Sequence, residues 1–159
     1  MAWAKNGTTD LGSAGDNVSV ATLPDTAFNL VLSNLHASGY ILNNTRINSD
    51  TGNNYAWRRA LNGVADTTST STDFISQSDT GAQIANFSVE YIYNLSSAEK
   101  LTISNVVENP SAGAGTVPSR IETVGKWTNT SDPIDEITKY NSHSGDYTTD
   151  SNCSVLGTN

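Results

Sequence analysis

Polar and apolar side chains alternate with a period of two along much of this sequence. Apolar residues occupy every second position in 28–32 and again in 87–95. Ser88, Glu90 and Asn94 fall on the opposite side of the second segment. Successive side chains of a β-strand point to opposite faces of the sheet. The pattern therefore predicts half-buried strands, each with an apolar face in a core and a polar face in water.

Segments with this strand pattern recur along the whole chain, separated by turn signals rich in Gly, Asn, Asp and Pro. The predicted strands cover 2–5, 17–23, 28–35, 39–48, 54–61, 87–95, 101–107, 119–127, 134–140 and 153–156. About eight to ten short strands at this spacing predict an all-β fold, an antiparallel sandwich or barrel. A short helix over 25–38 is an alternative, because Leu30, Asn34 and Leu35 also fit a helical spacing, but the strand is favoured.

Polar segments between the strands are predicted to lie outside the core. The link 96–100 is short, so the strands before and after it are expected to form a hairpin. The run 66–73 lacks apolar anchors and is expected to be a loop or an exposed edge, and 111–118 is expected to be a flexible loop. The tetrapeptide Ser-Asp-Thr-Gly occurs at 49–52 and 78–81 and predicts a turn at each place.

The apolar positions of the strands define the predicted core. A domain of about 150 residues buries roughly 68–70% of its unfolded surface, so a single domain over 1–159 has enough chain to form one. The side chains expected in this core are Phe28, Leu30, Leu32, Val89, Tyr91, Leu101, Ile103, Trp127 and Leu156.

Composition and charge argue against several classes of function. Ser, Thr and Asn supply 58 of 159 residues, and charged residues supply only 15%. No apolar run is long enough to predict a transmembrane helix, and no secretory signal is recognisable. A net charge of −8 argues against nucleic-acid binding, which needs clustered positive charge. The single cysteine, Cys153, predicts no internal disulfide and no zinc site.

No strong catalytic signature is present, so the sequence predicts no catalytic residue and no cofactor. Glu90 lies on the polar side of its strand and is expected to be solvated. A glycoside hydrolase with Glu90 and Glu122 in an acidic cleft is the enzyme alternative, because that reaction uses two facing carboxylates. The carboxylates considered for it are Glu90, Glu99, Glu108 and Glu122, and the histidines in no diagnostic context are His36 and His143.

Two Asp-rich loops offer oxygen atoms of the kind that Ca²⁺ prefers. They cover 50–54 and 146–150. Neither has the spacing of an EF-hand, so Asx-turns are the favoured interpretation and no metal is predicted. Ca²⁺ binding at these loops stays open at this point.

The segment 53–59 is the one candidate ligand site in the sequence. In a strand, Tyr55, Trp57 and Arg59 share one face. Aromatic rings beside an Arg can stack on a ligand or make cation–π contacts, as a sugar-binding sandwich would require. The favoured interpretation places Tyr55 and Trp57 in the core, with Arg59 extending to the rim.

Short ordered motifs extend along nearly the whole chain. They are Trp3-Ala4-Lys5, Leu11, Ala14-Gly15-Asp16, Arg46-Ile47-Asn48, Asn53-Asn54-Tyr55, Arg59, Asn94-Leu95-Ser96, Glu99-Lys100-Leu101, Ala112-Gly113-Ala114-Gly115-Thr116, Pro118, Arg120, Val124-Gly125-Lys126-Trp127, Ile137, Gly145-Asp146-Tyr147, Asp150-Ser151 and Val155-Leu156-Gly157. This series resembles small β-sandwich proteins of tailed bacterial viruses that are abundant in marine viral sequence. The last strand of such proteins has a glycine turn, a Ser, an apolar pair and a Gly, which Ser151 and Val155-Leu156-Gly157 match.

The resemblance implies a jelly-roll domain of a tail fibre or of a particle-surface protein. The expected function is that of a non-enzymatic virion structural protein, made in the host cytoplasm and placed on the particle as capsid decoration or tail appendage. The expected partners are further copies of the chain, with a trimer favoured, and other virion proteins. Open strand edges favour symmetric assembly. The alternative is a carbohydrate- or receptor-binding module at a fibre tip, with a host surface glycan as ligand.

Overall fold

Two antiparallel β-sheets pack around one hydrophobic core in the computed structural model, which describes residues 2–78 and 85–159. The strands are β1 (Ala4–Asp10), β2 (Asn17–Val20), β3 (Phe28–His36), β4 (Asn43–Ile47), β5 (Tyr55–Leu61), β6 (Thr67–Thr72), β7 (Ile75–Ser76), β8 (Ala85–Tyr93), β9 (Lys100–Asn109), β10 (Ser119–Trp127), β11 (Ile137–Asn141) and β12 (Asn152–Thr158). The described residues contain no helix. The predicted all-β antiparallel sandwich is therefore confirmed.

One sheet is twice the size of the other. The large sheet has the strand order β1-β12-β3-β8-β9-β10-β5-β6, and the small sheet has the order β2-β11-β4-β7. The described residues form twelve strands, more than the eight to ten expected from the sequence. The short strand β7 was not predicted, and the uniformly polar β6 was predicted only as a loop or an exposed edge.

Most local predictions agree with the structure. The segment 25–38 contains strand β3, so the helical alternative was wrong. Strands β8 and β9 form the expected hairpin. The polar run 66–73 contains β6, which pairs with β5 as an exposed edge of the large sheet. A turn occupies 49–52, whereas most of the second Ser-Asp-Thr-Gly segment, 78–81, lies outside the described residues.

The core lies between the two sheets. Val31, Ile92 and Val155 enter it from the large sheet, and Ile47 and Ile137 enter it from the small one. All of these side chains are fully or almost fully buried. They have the β-branched shapes that fit a pleated, covered sheet surface.

Most residues predicted to form the core lie on the outer side of the large sheet, away from the small sheet. Trp127 is buried as expected. The other predicted core residues point away from the small sheet: Leu30, Leu32, Val89 and Leu156 are half-buried, and Phe28, Tyr91, Leu101 and Ile103 are exposed. The sequence predicted correctly that inward and outward side chains alternate along these strands. It assigned the inward positions to the wrong set of residues, which is an error in the phase of the alternation.

Polar side chains occupy the inner face of the large sheet at its centre. On β8 these are Asn86, Ser88 and Glu90, all buried, although the sequence predicted Ser88 and Glu90 to be solvated. They are accommodated because other buried polar groups bond to them. Ser88 hydrogen-bonds Ser33 on the neighbouring strand β3, and Asn86 donates to a Glu108 carboxylate oxygen at 3.1 Å. Burying a polar group costs little once its hydrogen bonds are made inside the protein.

Adjacent valines on β9 test this assignment of faces. Val106 is 0% exposed and Val107 is 48% exposed. Val106→Ala removes buried methyl groups and should lower the free energy of unfolding by about 2 kcal/mol. Val107→Ala should lower it by less than about 0.5 kcal/mol, because exposed positions contribute little. Urea unfolding of both variants at low protein concentration measures the difference, and equal losses would contradict the observed orientation.

Candidate functional site

The most unusual surface of the molecule is the outer side of the large sheet, which points away from the small sheet. It is strongly apolar, and we refer to it as the outer apolar face. Its members are Phe28, Leu30, Leu32, Val89, Tyr91, Tyr93, Leu101, Ile103, Val124 and Leu156. Most monomeric proteins do not expose contiguous apolar patches of this kind, and a large one marks an interaction site.

Strand register makes this face continuous. Leu156 on β12 is paired with Leu30 on β3, and Leu30 is paired with Tyr91 on β8. Tyr91 is paired with Ile103 on β9, and Ile103 is paired with Val124 on β10. Adjacent strands lie about 4.8 Å apart, so this single row of apolar side chains spans roughly 19 Å.

Two shallow grooves flank the row. The first has a volume of about 570 Å³ and is lined mainly by aromatic side chains, namely Trp3, Phe28, Tyr91 and Tyr93. The second has a volume of about 610 Å³ and lies over β5, β6, β9 and β10. Leu101 and Ile103 border both grooves, so the two grooves are adjacent on the outer apolar face.

Three ion pairs lie on this side of the sheet. The ion pairs are Arg58–Asp66 at 2.7 Å, Lys126–Glu99 at 2.8 Å and Arg120–Glu122 at 3.9 Å. Each pair brings one positive and one negative charge, so they contribute no net charge. The chain as a whole carries −8. The outer apolar face is therefore far closer to neutral than the rest of the protein.

The predicted sugar-binding residues share one face of β5, as expected, but that face is the inner one. Tyr55 is 1% exposed, and its hydroxyl accepts from the Ile47 backbone N–H and donates to the Ile47 carbonyl oxygen, both at 3.1 Å. Burial raises the pKa of Tyr55 well above its usual value, opposed in part by the Ile47 hydrogen bond. Trp57 is half-buried and packs against the core.

Arg59 completes this set and is also buried. Its guanidinium donates to the Ser76 hydroxyl at 2.7 Å and to the Ser78 carbonyl oxygen at 2.9 Å. It also lies 5.4 Å from the centre of the Trp57 ring. Tyr55 and Arg59 are therefore buried, whereas Trp57 is half-buried and borders the second groove. The exposed aromatic rings lie on the outer apolar face instead.

The carboxylates proposed for a hydrolase do not meet in one cleft. Glu90 points into the sandwich and Glu122 points out of the large sheet, so the two lie on opposite faces. Glu99 pairs with Lys126 at the margin of the outer apolar face. Glu108 is buried beside Asn86.

A buried group of polar side chains, which we name the inner polar cluster, was not predicted from the sequence. It consists of Thr45, Gln77, Glu90, Ser104 and Lys139, all buried. The Lys139 ammonium donates to Glu90 Oε2 at 2.9 Å, and to Thr45 Oγ1 and Gln77 Oε1 at 3.0 Å each. Thr45 also donates to Glu90 Oε2 at 3.0 Å, and Ser104 donates to Gln77 Oε1 at 3.2 Å.

Four strands, with Ser104 on β9 as the fourth, and a close approach of β7 to β10 bring this cluster together. Lys139 lies on β11 and Thr45 on β4, while Glu90 lies on β8 of the opposite sheet. Gln77 directly follows β7, which packs where β10 has a glycine. A Cβ atom at Gly125 would lie 2.8 Å from the Ile75 side chain, so only glycine leaves β7 room at this point.

The first loop considered for Ca²⁺, 50–54, uses its acidic group in another way. The Asp50 carboxylate accepts from Trp127 Nε1 at 2.6 Å, Asn54 Nδ2 at 2.9 Å and the Gly52 backbone N–H at 2.8 Å. Asp50 thus forms the Asx-turn expected of 50–54. Among the residues that the structure describes, no three His, Cys, Asp or Glu side chains gather in a group able to hold a metal.

Cys153, His36 and His143 belong neither to the outer apolar face nor to the inner polar cluster. Cys153 is buried on β12, and burial is the main reason why its pKa is raised to about 11. His36 and His143 are both exposed, and the His143 ring packs edge-on against Tyr40 at 4.1 Å.

Comparison with known proteins adds no family to this description. No family model matches the chain, and no curated protein is significantly similar to it. Within 2–78 and 85–159, no helix has the length and apolar character needed to cross a membrane.

The Asp50 hydrogen bonds predict a pH-dependent contribution to stability. Burial alone would raise the pKa of Asp50, but the bonds from Trp127, Asn54 and Gly52 outweigh it and hold the pKa below its ordinary value of 3.8. A depressed pKa stabilises the fold above the unfolded-state pKa, and this stability is lost as the pH falls through the folded-state pKa. Asp50→Asn should cost about 1–3 kcal/mol at pH 7, since hydrogen bonds to a charged group are involved.

Unfolding by urea across the pH range checks this expectation. The difference between the parent protein and Asp50→Asn should be largest near neutral pH and should shrink below about pH 4. Thr51→Ala, which changes an exposed neighbour in the same turn, is the control and should have little effect at any pH. A difference that stays constant down to pH 2 would contradict an ionised role for Asp50.

Proposed function

We propose that this chain is a non-enzymatic structural module that assembles with further copies of itself through the outer apolar face. The observation that carries the proposal is the continuous apolar row from Leu156 to Val124 across neighbouring strands. Ile103, near the centre of the face, is 57% exposed in the single chain. Removing apolar surface from water is the main driving force of such association, at roughly 25 cal/mol per Å².

A second copy of the chain is the occupant that the charges favour. Two surfaces of equal net charge repel each other, and a chain with −8 would ordinarily resist self-association. The outer apolar face avoids this problem because the charged side chains around it include three internal ion pairs, which add no net charge. Two such faces can therefore meet without strong repulsion.

Association through faces is favoured over association through strand edges. The edges of the large sheet are β1 and β6, and both carry mostly polar side chains. Polar, short or irregular edges protect a sheet from adding further strands. The open edges that the sequence suggested as assembly sites are thus less suitable than the face between them.

The strand order supports a jelly-roll topology for this module. Strands β1, β12, β3 and β8 are neighbours in one sheet, and β2, β11, β4 and β7 are neighbours in the other. The chain therefore alternates between sheets in a nested order, with β5, β6, β9 and β10 added beyond β8. Two four-stranded halves in such an order are expected of jelly rolls, which occur in viral capsid and lectin domains.

The setting we propose is the surface of a virus particle, as capsid decoration or as part of a tail appendage. The support is the resemblance of the chain to β-sandwich proteins of tailed bacterial viruses, together with the assembly surface and the nested strand order. Analysis of the protein composition of purified virions tests this setting, and absence of the chain from the particles would remove it.

Self-assembly is tested by a charge placed in the centre of the face. Ile103→Asp should weaken association by at least about 100-fold, because a charge buried in an apolar interface costs several kcal/mol and each 1.4 kcal/mol is tenfold. Val117→Asp is the matched control, since Val117 is 83% exposed but lies in the loop between β9 and β10. Light scattering after size exclusion should show an oligomer, with a trimer expected, for the parent and the control, and a monomer for Ile103→Asp. A monomeric parent protein at high concentration would contradict the proposal.

Sugar binding is a second candidate because one groove of the outer apolar face has an aromatic lining. Tyr91 and its neighbours Trp3, Phe28 and Tyr93 form a stacking surface of the kind a sugar ring could use. A glycan array distinguishes this groove from the β5 residues of the sequence-based hypothesis. Binding that is lost in Tyr91→Ala and kept in Trp57→Ala assigns it to the groove, and the reverse result assigns it to Trp57.

A further inference from the structure

The inner polar cluster brings a primary amine, a carboxamide and a carboxyl group together in a site closed to solvent. Lys139 and Glu90 are both 0% exposed, and so is Gln77. We propose that Lys139 and Gln77 join in an intramolecular isopeptide bond, with Glu90 transferring the protons. The proposal rests on these groups alone and does not depend on how the protein assembles.

The distances suit an attack of the amine on the amide carbon. Lys139 Nζ lies 3.0 Å from Gln77 Oε1. Because a C=O bond is about 1.23 Å long, the nitrogen is no more than about 4.2 Å from the Gln77 amide carbon. Reacting atoms at roughly 3–3.5 Å are in a near-attack arrangement, so a shift of about 1 Å at most is needed.

The same contacts polarise the amide. Gln77 Oε1 accepts hydrogen bonds from the Ser104 hydroxyl at 3.2 Å and from Lys139. When the amine attacks, negative charge develops on this oxygen. The Ser104 hydroxyl is already directed at it, in a site closed to solvent, where such a hydrogen bond stabilises the charge most strongly.

Glu90 is placed to move the protons that the reaction requires. Its Oε2 atom lies 2.9 Å from Lys139 Nζ. Transfer of one proton from the Lys139 ammonium to the Glu90 carboxylate leaves a neutral amine and a neutral acid. The amine lone pair then forms the new bond to the Gln77 amide carbon, and the C=O electron pair moves onto Oε1.

Collapse of this intermediate releases ammonia. Glu90 donates its proton to Gln77 Nε2 and receives one from the attacking nitrogen, so the acid is regenerated. The C–Nε2 bond breaks, the C=O bond re-forms, and the nitrogen leaves with its electron pair as ammonia. The products are one amide, one ammonia molecule and a neutral Glu90. No oxidant, metal or co-reactant takes part.

Buried polar atoms without hydrogen-bond partners contribute to the driving force of the reaction. Within the described part of the chain, Gln77 Nε2 and Glu90 Oε1 are buried and have no hydrogen-bond partner. An unsatisfied buried polar group is costly, and so are buried charges. The reaction removes the unpaired nitrogen altogether and replaces an ammonium–carboxylate pair with neutral groups.

The bond would connect parts of the sandwich that are far apart in sequence. Lys139 and Gln77 are 62 positions apart, and strand β4 lies between β11 and β7 in the small sheet. A covalent link that closes a loop of this length restricts the unfolded chain, as a long-range disulfide does. A protein without a disulfide would gain a cross-link that reducing agents cannot break.

Intact-mass spectrometry of the purified, folded full chain is the deciding experiment. Most molecules should be lighter than the sequence mass by one ammonia, and the loss should persist in denaturant because the bond is covalent. Trypsin should not cleave after Lys139, and the peptides 60–100 and 127–159 should be recovered joined. A folded protein with the unmodified sequence mass would overturn the proposal and leave Lys139–Glu90 as an ordinary ion pair.

Variants separate this cross-link from other losses of ammonia. Glu90→Gln keeps the shape of the side chain but removes the proton carrier, and Lys139→Met removes the amine, so neither should lose ammonia. Lys126→Met, a change on the outer side of the sheet, is the control and should lose ammonia as the parent does. Circular dichroism confirms which variants fold. Loss of ammonia that peptide mapping places at Asn62-Gly63, as a backbone succinimide, would also overturn the proposal.

Discussion

The contact between Lys139 and Glu90 constrains the arrangement of the whole sandwich. It joins β11 of the small sheet to β8 of the large sheet at a place where neither side chain meets water. Charges in such a place are tolerated when they are paired with an opposite charge and supported by further hydrogen bonds. Thr45 and Gln77 supply the remaining partners of the Lys139 ammonium, which requires polar side chains to point inward on several strands.

The polar side chains that point inward determine which side chains point outward from the large sheet. Because side chains alternate along a strand, turning Ser88 and Glu90 inward turns Val89 and Tyr91 outward. The same relation holds on β9, where Ser104 points in and Ile103 points out. The polar interior and the outer apolar face are therefore two consequences of one phase of alternation. The face that we propose for assembly arises without any addition to the sandwich itself.

Sequence alone predicted the strands well because their signals are local. The alternation in 87–95 and the short link 96–100 depend only on neighbouring residues, and both were confirmed. The phase depends on contacts between distant residues, since Glu90 and Lys139 are 49 positions apart. An alternating strand looks the same whichever face is covered. Tyr55 illustrates this, because its shared face with Trp57 was predicted correctly, whereas the covering of that face was left as two alternatives, with burial favoured.

A sandwich built in this way divides its apolar side chains between two sites. Those around Ile92 and Ile137 stabilise the single chain, whereas those around Ile103 remain in contact with water until another surface covers them. The isolated chain therefore obtains less stability from burial than its length would allow. In the assembly that we propose, binding to a second copy would stabilise the folded form by mass action and so couple folding to assembly. The contacts of Lys139 hold the two sheets in the one arrangement that presents the outer apolar face.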